Sequence, residues 1–83
     1  MHTDTFSFEV DGRIYEVHLY DLVYLPKPCY VDIYYPGGDK VTKKVVYEPE
    51  SKTYKFDFIT HNAPDIIYII QQKISDKIIS RNE

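Results

Sequence analysis

The sequence predicts an α+β fold: a five-stranded antiparallel β-sheet followed by one C-terminal helix packed on one of its faces. Three observations predict it. Apolar and polar side chains alternate along short segments up to about residue 60, the period of a half-buried strand. Short turn-forming stretches separate most of these segments, which makes chain neighbours antiparallel. Beyond residue 60 the apolar period becomes that of an amphipathic helix. A small SH3-like barrel capped by the helix is the alternative architecture.

The first strand covers about residues 5–10, where Phe6, Phe8 and Val10 alternate with Thr5, Ser7 and Glu9. Asp11-Gly12 is a favoured pair for a two-residue type I′ turn. Such a turn sets the second strand over 13–20 and pairs Val10 with Arg13, Phe8 with Tyr15 and Phe6 with Val17. One face then carries Phe6, Phe8, Val10, Tyr15, Val17 and Leu19. The other carries Thr5, Ser7, Glu9, Ile14, Glu16, His18 and Tyr20.

The stretch DLVYLPKP that follows holds two prolines one residue apart, which cannot sit in a central strand. It is expected to cross the end of the sheet, with Leu22 and Leu25 entering the core. A third strand, over 29–35, alternates Cys29, Val31, Ile33 and Tyr35 against Tyr30, Asp32 and Tyr34. Fourth and fifth strands are expected over 41–48 and 53–60, joined by the polar turn Pro49–Lys52. A four-residue loop there pairs Tyr47 with Tyr54 and Val45 with Phe56, and puts Tyr54, Phe56 and Phe58 on the core face. Val45 and Val46 point opposite ways, so a bulge in the fourth strand would exchange them.

The helix is expected over 63–80, with Asn62 as its N-cap, Pro64 in the first turn and Asp65 complementing the helix dipole. At 100° per residue, Ile66, Ile67, Ile70, Ile74 and Ile78 form the core stripe. Tyr68, Ile69 and Ile79 fall outside it.

Composition limits what such a domain does. The 83 residues fit one domain, 1–83, with no second core. A net charge of −3 argues against a general nucleic-acid or anionic-membrane binder. The charge is uneven: up to Tyr35 six acids face two basic residues, and from Pro36 onward eight basic residues face seven acids. The lone Cys29 excludes an intramolecular disulfide and a cysteine-based zinc site, and its phase with Val31 and Ile33 makes it a packing residue. No signal-peptide pattern follows Met1 and no apolar run is long enough to span a bilayer, so the expected location is the cytoplasm.

Nothing in the sequence assembles a catalytic constellation. YYPGGDK, residues 34–40, has glycines and a lysine but lacks the P-loop spacing, and a strand rather than a helix follows it, so it is the tip of a hairpin. His2, His18 and His61 are scattered and show no metal-binding spacing. Ser51, Ser75 and Ser80 lie in a turn and a helix without a nucleophile elbow. The expectation is therefore a protein that is not an enzyme and that uses no cofactor or metal.

Two surfaces are candidates for binding. Tyr20, Tyr30 and Tyr34, with Lys44 and Lys55 on nearby strands, lie on the sheet face away from the helix. Aromatics with lysines on an open sheet suit single-stranded nucleic acid, although Glu9, Glu16, Asp32, Glu48 and Asp57 share that face and repel phosphate. Tyr68, Ile69 and Ile79 on the outer helix face suit a protein partner. A small non-enzymatic interaction domain is the leading expectation, either a homodimer or an inhibitor or adaptor docking on another protein. Single-stranded nucleic-acid binding is the alternative.

Overall fold

A computed structural model describes residues 3–20 and 29–81. Five strands, β1 (Thr3–Val10), β2 (Arg13–Tyr20), β3 (Cys29–Tyr34), β4 (Lys40–Glu48) and β5 (Thr53–Phe56), precede one helix, α1 (Asp65–Arg81). The strands form one antiparallel sheet in the order β1-β2-β3-β4-β5. The sheet curls into a half-barrel and the helix lies on its inner side, which is the expected α+β arrangement. The closed barrel is not formed, because no ladder joins β5 to β1. The connection holding Leu22 and Leu25 lies outside the described residues, as does the Cys29 side chain.

Turn chemistry sets the registers. Asp11 and Gly12 both take positive φ, 52° and 76°, as a type I′ turn requires. The ladder then pairs Val10 with Arg13, Phe8 with Tyr15 and Phe6 with Val17, as the sequence predicts. In the YYPGGDK loop the Tyr35 amide donates to the Asp39 carbonyl at 2.8 Å and Gly38 takes a φ of 94°. Between β4 and β5, the Lys52 amide donates to the Glu48 carbonyl at 2.9 Å, closing the expected four-residue loop. Tyr47 faces Tyr54 and Val45 faces Phe56 with no bulge, so Val45 is buried and Val46 only half-buried.

The core lies between the inner sheet face and the helix. Val17, Leu19, Val31, Ile33 and Val45 of the sheet meet Ile70, Ile74 and Ile78 of α1, each at most 2% exposed. Phe6, Phe8, Tyr15 and Tyr35 form a chain of rings along the inner face, with successive centroids 6.0, 5.6 and 5.6 Å apart. Aromatic pairs at such spacing add to the stabilisation from area burial alone.

Three expectations need correction. Strand β5 ends at Phe56 rather than near residue 60: the Asp57 amide still reaches the Lys44 carbonyl at 2.8 Å, but the chain bends there. Phe58 consequently leaves the core face and is 67% exposed. Helix α1 begins at Asp65, where the Pro64 carbonyl accepts from the Ile67 amide at 3.0 Å, so Asn62 lies before the cap. Ile79 is not an outer residue. It is half-buried and packs against the core, because the curled sheet clasps the helix beyond its central stripe.

That clasp is readable from contacts. The Tyr54 and Phe56 amides on the outer edge of β5 donate to Ser75 Oγ at 3.0 Å and Gln71 Oε1 at 2.9 Å. On the other flank, Lys77 Nζ lies 5.7 Å from the Phe6 ring centroid of β1. At 100° per residue these contacts span roughly half of the helix circumference.

Candidate functional site

Because strand side chains alternate, the outer sheet face is a grid whose rows are fixed by register. One row across β2, β3 and β4 is Tyr20, Tyr30, Lys44; the next is His18, Asp32, Thr42; the third is Glu16, Tyr34, Lys40. Four of the five sheet-face residues singled out from the sequence, Tyr20, Tyr30, Tyr34 and Lys44, therefore surround a single central residue, Asp32. Lys55 does not join them. It is on β5, where its ammonium is 3.0 Å from each carboxylate oxygen of Glu48.

Asp32 is a nearly buried carboxylate, 9% exposed, on a face that is otherwise open. Its cover is one side-chain layer thick and made of its own neighbours. The Thr42 hydroxyl donates to Oδ1 at 2.6 Å and the Tyr20 hydroxyl donates to Oδ2 at 2.8 Å. Two hydroxyl donors favour the ionised form. The Thr42 bond first and the Tyr20 bond second hold the carboxyl below its usual value, with smaller help from the charges of Lys40 and His18. Reciprocally, the bond to Asp32 raises the Tyr20 phenol above its usual value, with burial and the nearby negative charge adding to it. At neutral pH the pair is thus a carboxylate receiving a neutral phenol, with no proton poised to move.

The surrounding side chains are also committed. His18 Nε2 is 2.8 Å from Glu16 Oε2, and its ring centroid is 4.7 Å from that of Tyr34. Glu48, held by Lys55 and then by the Ser51 hydroxyl, has its carboxyl pulled below the usual range. Among the described residues, no group of three or more His, Cys, Asp or Glu side chains is placed to hold a metal. No described helix is long and apolar enough to cross a membrane.

Tyr30 is the exception on this face. It is 53% exposed, and neither a ring contact nor a hydrogen bond is recorded for its side chain. Ile14, 55% exposed, stands at the hairpin end of β2.

A second, more apolar surface lies at the start of the helix. Phe58, Tyr68 and Ile69 are 67%, 50% and 38% exposed. Phe58 lies in the segment between β5 and α1, and Tyr68 and Ile69 lie early in α1. Tyr54 meets Ser75 and Phe56 meets Gln71, so β5 and α1 run antiparallel, two strand residues to one helical turn. That register ends with β5 at Phe56, and on the helix 100° per residue puts Tyr68 toward β5 and Ile69 100° away from it. Sequence reading missed Phe58 because its alternation with Tyr54 and Phe56 continues past the point where the strand ends. It missed the central role of Asp32 because hydroxyl partners on two other strands become visible only with the register. Comparison with protein-family models, with curated proteins and with solved structures gives no match to this chain.

Proposed function

We propose that this protein is a small non-enzymatic protein-binding domain, an inhibitor or adaptor that docks on another protein through the helix-start surface of Phe58, Tyr68 and Ile69. The observation that carries this reading is the exposure of three large apolar side chains near the start of the helix, Phe58, Tyr68 and Ile69, at 67%, 50% and 38%. Large apolar side chains left in water at one end of a small domain suit association with another protein. Phe and Tyr are also enriched at protein interfaces. The outer sheet face supports the reading by contrast: Asp32 is held by Tyr20 and Thr42, His18 by Glu16 and Glu48 by Lys55.

Single-stranded nucleic acid fits the outer face less well. An ionised Asp32 at the centre of the tyrosine grid repels a phosphate backbone, and Lys55 is already neutralised by Glu48. Two measurements test the assignment. Affinity capture from cells that make the protein compares the wild type with a Phe58→Lys/Tyr68→Lys double variant shown to be folded by circular dichroism. A partner retained by the wild type and lost by the variant supports the docking surface; identical retained sets remove it. Titration with mixed-sequence DNA and RNA oligomers at low salt is expected to show no salt-sensitive binding.

A further inference from the structure

The two edges of the sheet are treated differently. On β5, the edge amides of Tyr54 and Phe56 are satisfied by Ser75 and Gln71, so the helix blocks that edge. On β1 no described backbone group pairs with the outer edge. The type I′ turn makes Val10–Arg13 a hydrogen-bonded pair, so Asp4, Phe6, Phe8 and Val10 direct their backbone groups at β2. Thr3, Thr5, Ser7 and Glu9 therefore direct theirs outward. β1 has only part of the usual edge protection: its eight residues contain no proline, no lysine and no bulge, and its two charges are Asp4, in phase with Phe6 and Phe8, and Glu9 on the opposite face.

We infer that β1 is a self-association edge, at which a second copy of this chain pairs antiparallel across a two-fold axis through Phe6. This surface is distinct from the helix-start surface and does not depend on it. The four outward-directed residues are spaced symmetrically about position 6. A two-fold there sets Thr5 opposite Ser7 of the second copy and Thr3 opposite Glu9 of the second copy, using every free group in about eight inter-chain hydrogen bonds. The side chains agree with the same register. Phe6 meets Phe6 of the second copy at the close, non-hydrogen-bonded position where aromatic cross-strand pairs are most favourable. The inner-face chain of rings, Tyr35, Tyr15, Phe8 and Phe6, then continues into its symmetry mate. No like charges are apposed, since Asp4 comes opposite Phe8 and Glu9 opposite Thr3. An isologous pairing of this kind closes on itself, whereas a head-to-tail contact through β5 is blocked by the helix.

Sedimentation equilibrium of the full chain between about 1 and 200 µM tests this, because an edge-strand contact of this length lies at the small end of specific interfaces. A reversible dimer with a dissociation constant on the order of 10 µM is expected. Two double variants read the register. Thr5→Lys/Ser7→Lys puts lysines opposite each other twice across the axis and is expected to weaken the dimer about tenfold. Thr5→Glu/Ser7→Lys puts opposite charges there and is expected to tighten it, which also keeps the test decisive if the di-lysine variant fails to fold. Phe58→Lys/Tyr68→Lys is expected to leave the dimer unchanged. A wild-type chain that stays monomeric throughout overturns the inference. So does a dimer indifferent to both β1 variants, or one lost only with the helix-start variant.

Discussion

The Ser75 hydroxyl accepts the Tyr54 amide proton at 3.0 Å, from a position on α1 that is 1% exposed. One turn earlier, Gln71 does the same for Phe56 at 2.9 Å. Two residues of strand advance about 6.8 Å and four residues of helix about 6.0 Å, so an i, i+4 pair on a helix antiparallel to an edge strand can serve alternate amides. A serine inside a helix and a glutamine on its flank thereby replace the missing sixth strand.

Removing that acceptor takes away a hydrogen bond made by a buried N–H, and an unmet buried polar group costs more than the net value of a hydrogen bond. Ser75→Ala is expected to destabilise the domain by about 1–3 kcal/mol. Gln72→Ala, which breaks only an exposed bond to Asp76, is expected to change stability by less than about 0.5 kcal/mol. Urea unfolding of the two variants checks the contrast, and equal effects would contradict the acceptor role.

The Asp32 cluster contributes at both ends of the pH profile. Asp32 is held below its usual value of 3.8, so its contribution is present above that pH and is lost as pH falls through the lower folded value. Tyr20 is raised above its usual value of 10.0, so its contribution is present below pH 10 and is lost as pH rises through the higher folded value. Between these limits neither group makes stability vary with pH. Thermal unfolding from pH 2 to 11 is expected to show a smaller acid-side fall in Asp32→Asn and a smaller alkaline-side fall in Tyr20→Phe. Profiles parallel to the wild type would contradict the assignment.

Lys52 occupies the left-handed region at φ 57°, in an exposed turn where its side chain has no recorded partner. Glycine takes that conformation without strain, although it also loosens the unfolded chain. Lys52→Gly is expected to raise stability by about 0.5 kcal/mol. Lys52→Pro, which cannot take the positive φ and loses the N–H bonded to Glu48, is expected to lower it by several times that amount. Melting temperatures of the two variants, moving in opposite directions, check the turn.

What was legible in the sequence was local. Asp11-Gly12 fixes the β1–β2 register, the 49–52 loop fixes that of β4–β5, and the central isoleucine stripe fixes the helix face; all three are short-range patterns. What escaped depends on distant parts of the chain. Asp32 reads as one more polar-face residue until Tyr20 and Thr42 arrive from neighbouring strands. Ser75 reads as a weak spot in a helix until Tyr54 is placed beside it. Phe58 continues an alternation whose supporting strand has stopped, because periodicity reports side-chain phase and not where hydrogen bonding ends.

Ile79 and Tyr68 show the same limit at the level of energy. On a helical wheel both fall about 80–100° beyond the Ile78 edge of the Ile70, Ile74, Ile78 stripe, on the flank toward β5. Their surroundings differ along the helix axis. Ile79 lies past Ser75 in the direction of the β4–β5 turn, where the sheet still covers it, and it packs against the core. Tyr68 lies beyond the end of β5 and is 50% exposed. Ile79→Lys is therefore expected to destabilise the fold by about 1–2 kcal/mol, the loss of a partly buried aliphatic side chain. Tyr68→Lys is expected to change stability by less than about 0.5 kcal/mol. Chemical denaturation of both variants decides the matter: equal costs would mean that Tyr68 also belongs to the core, and would remove it from the docking surface.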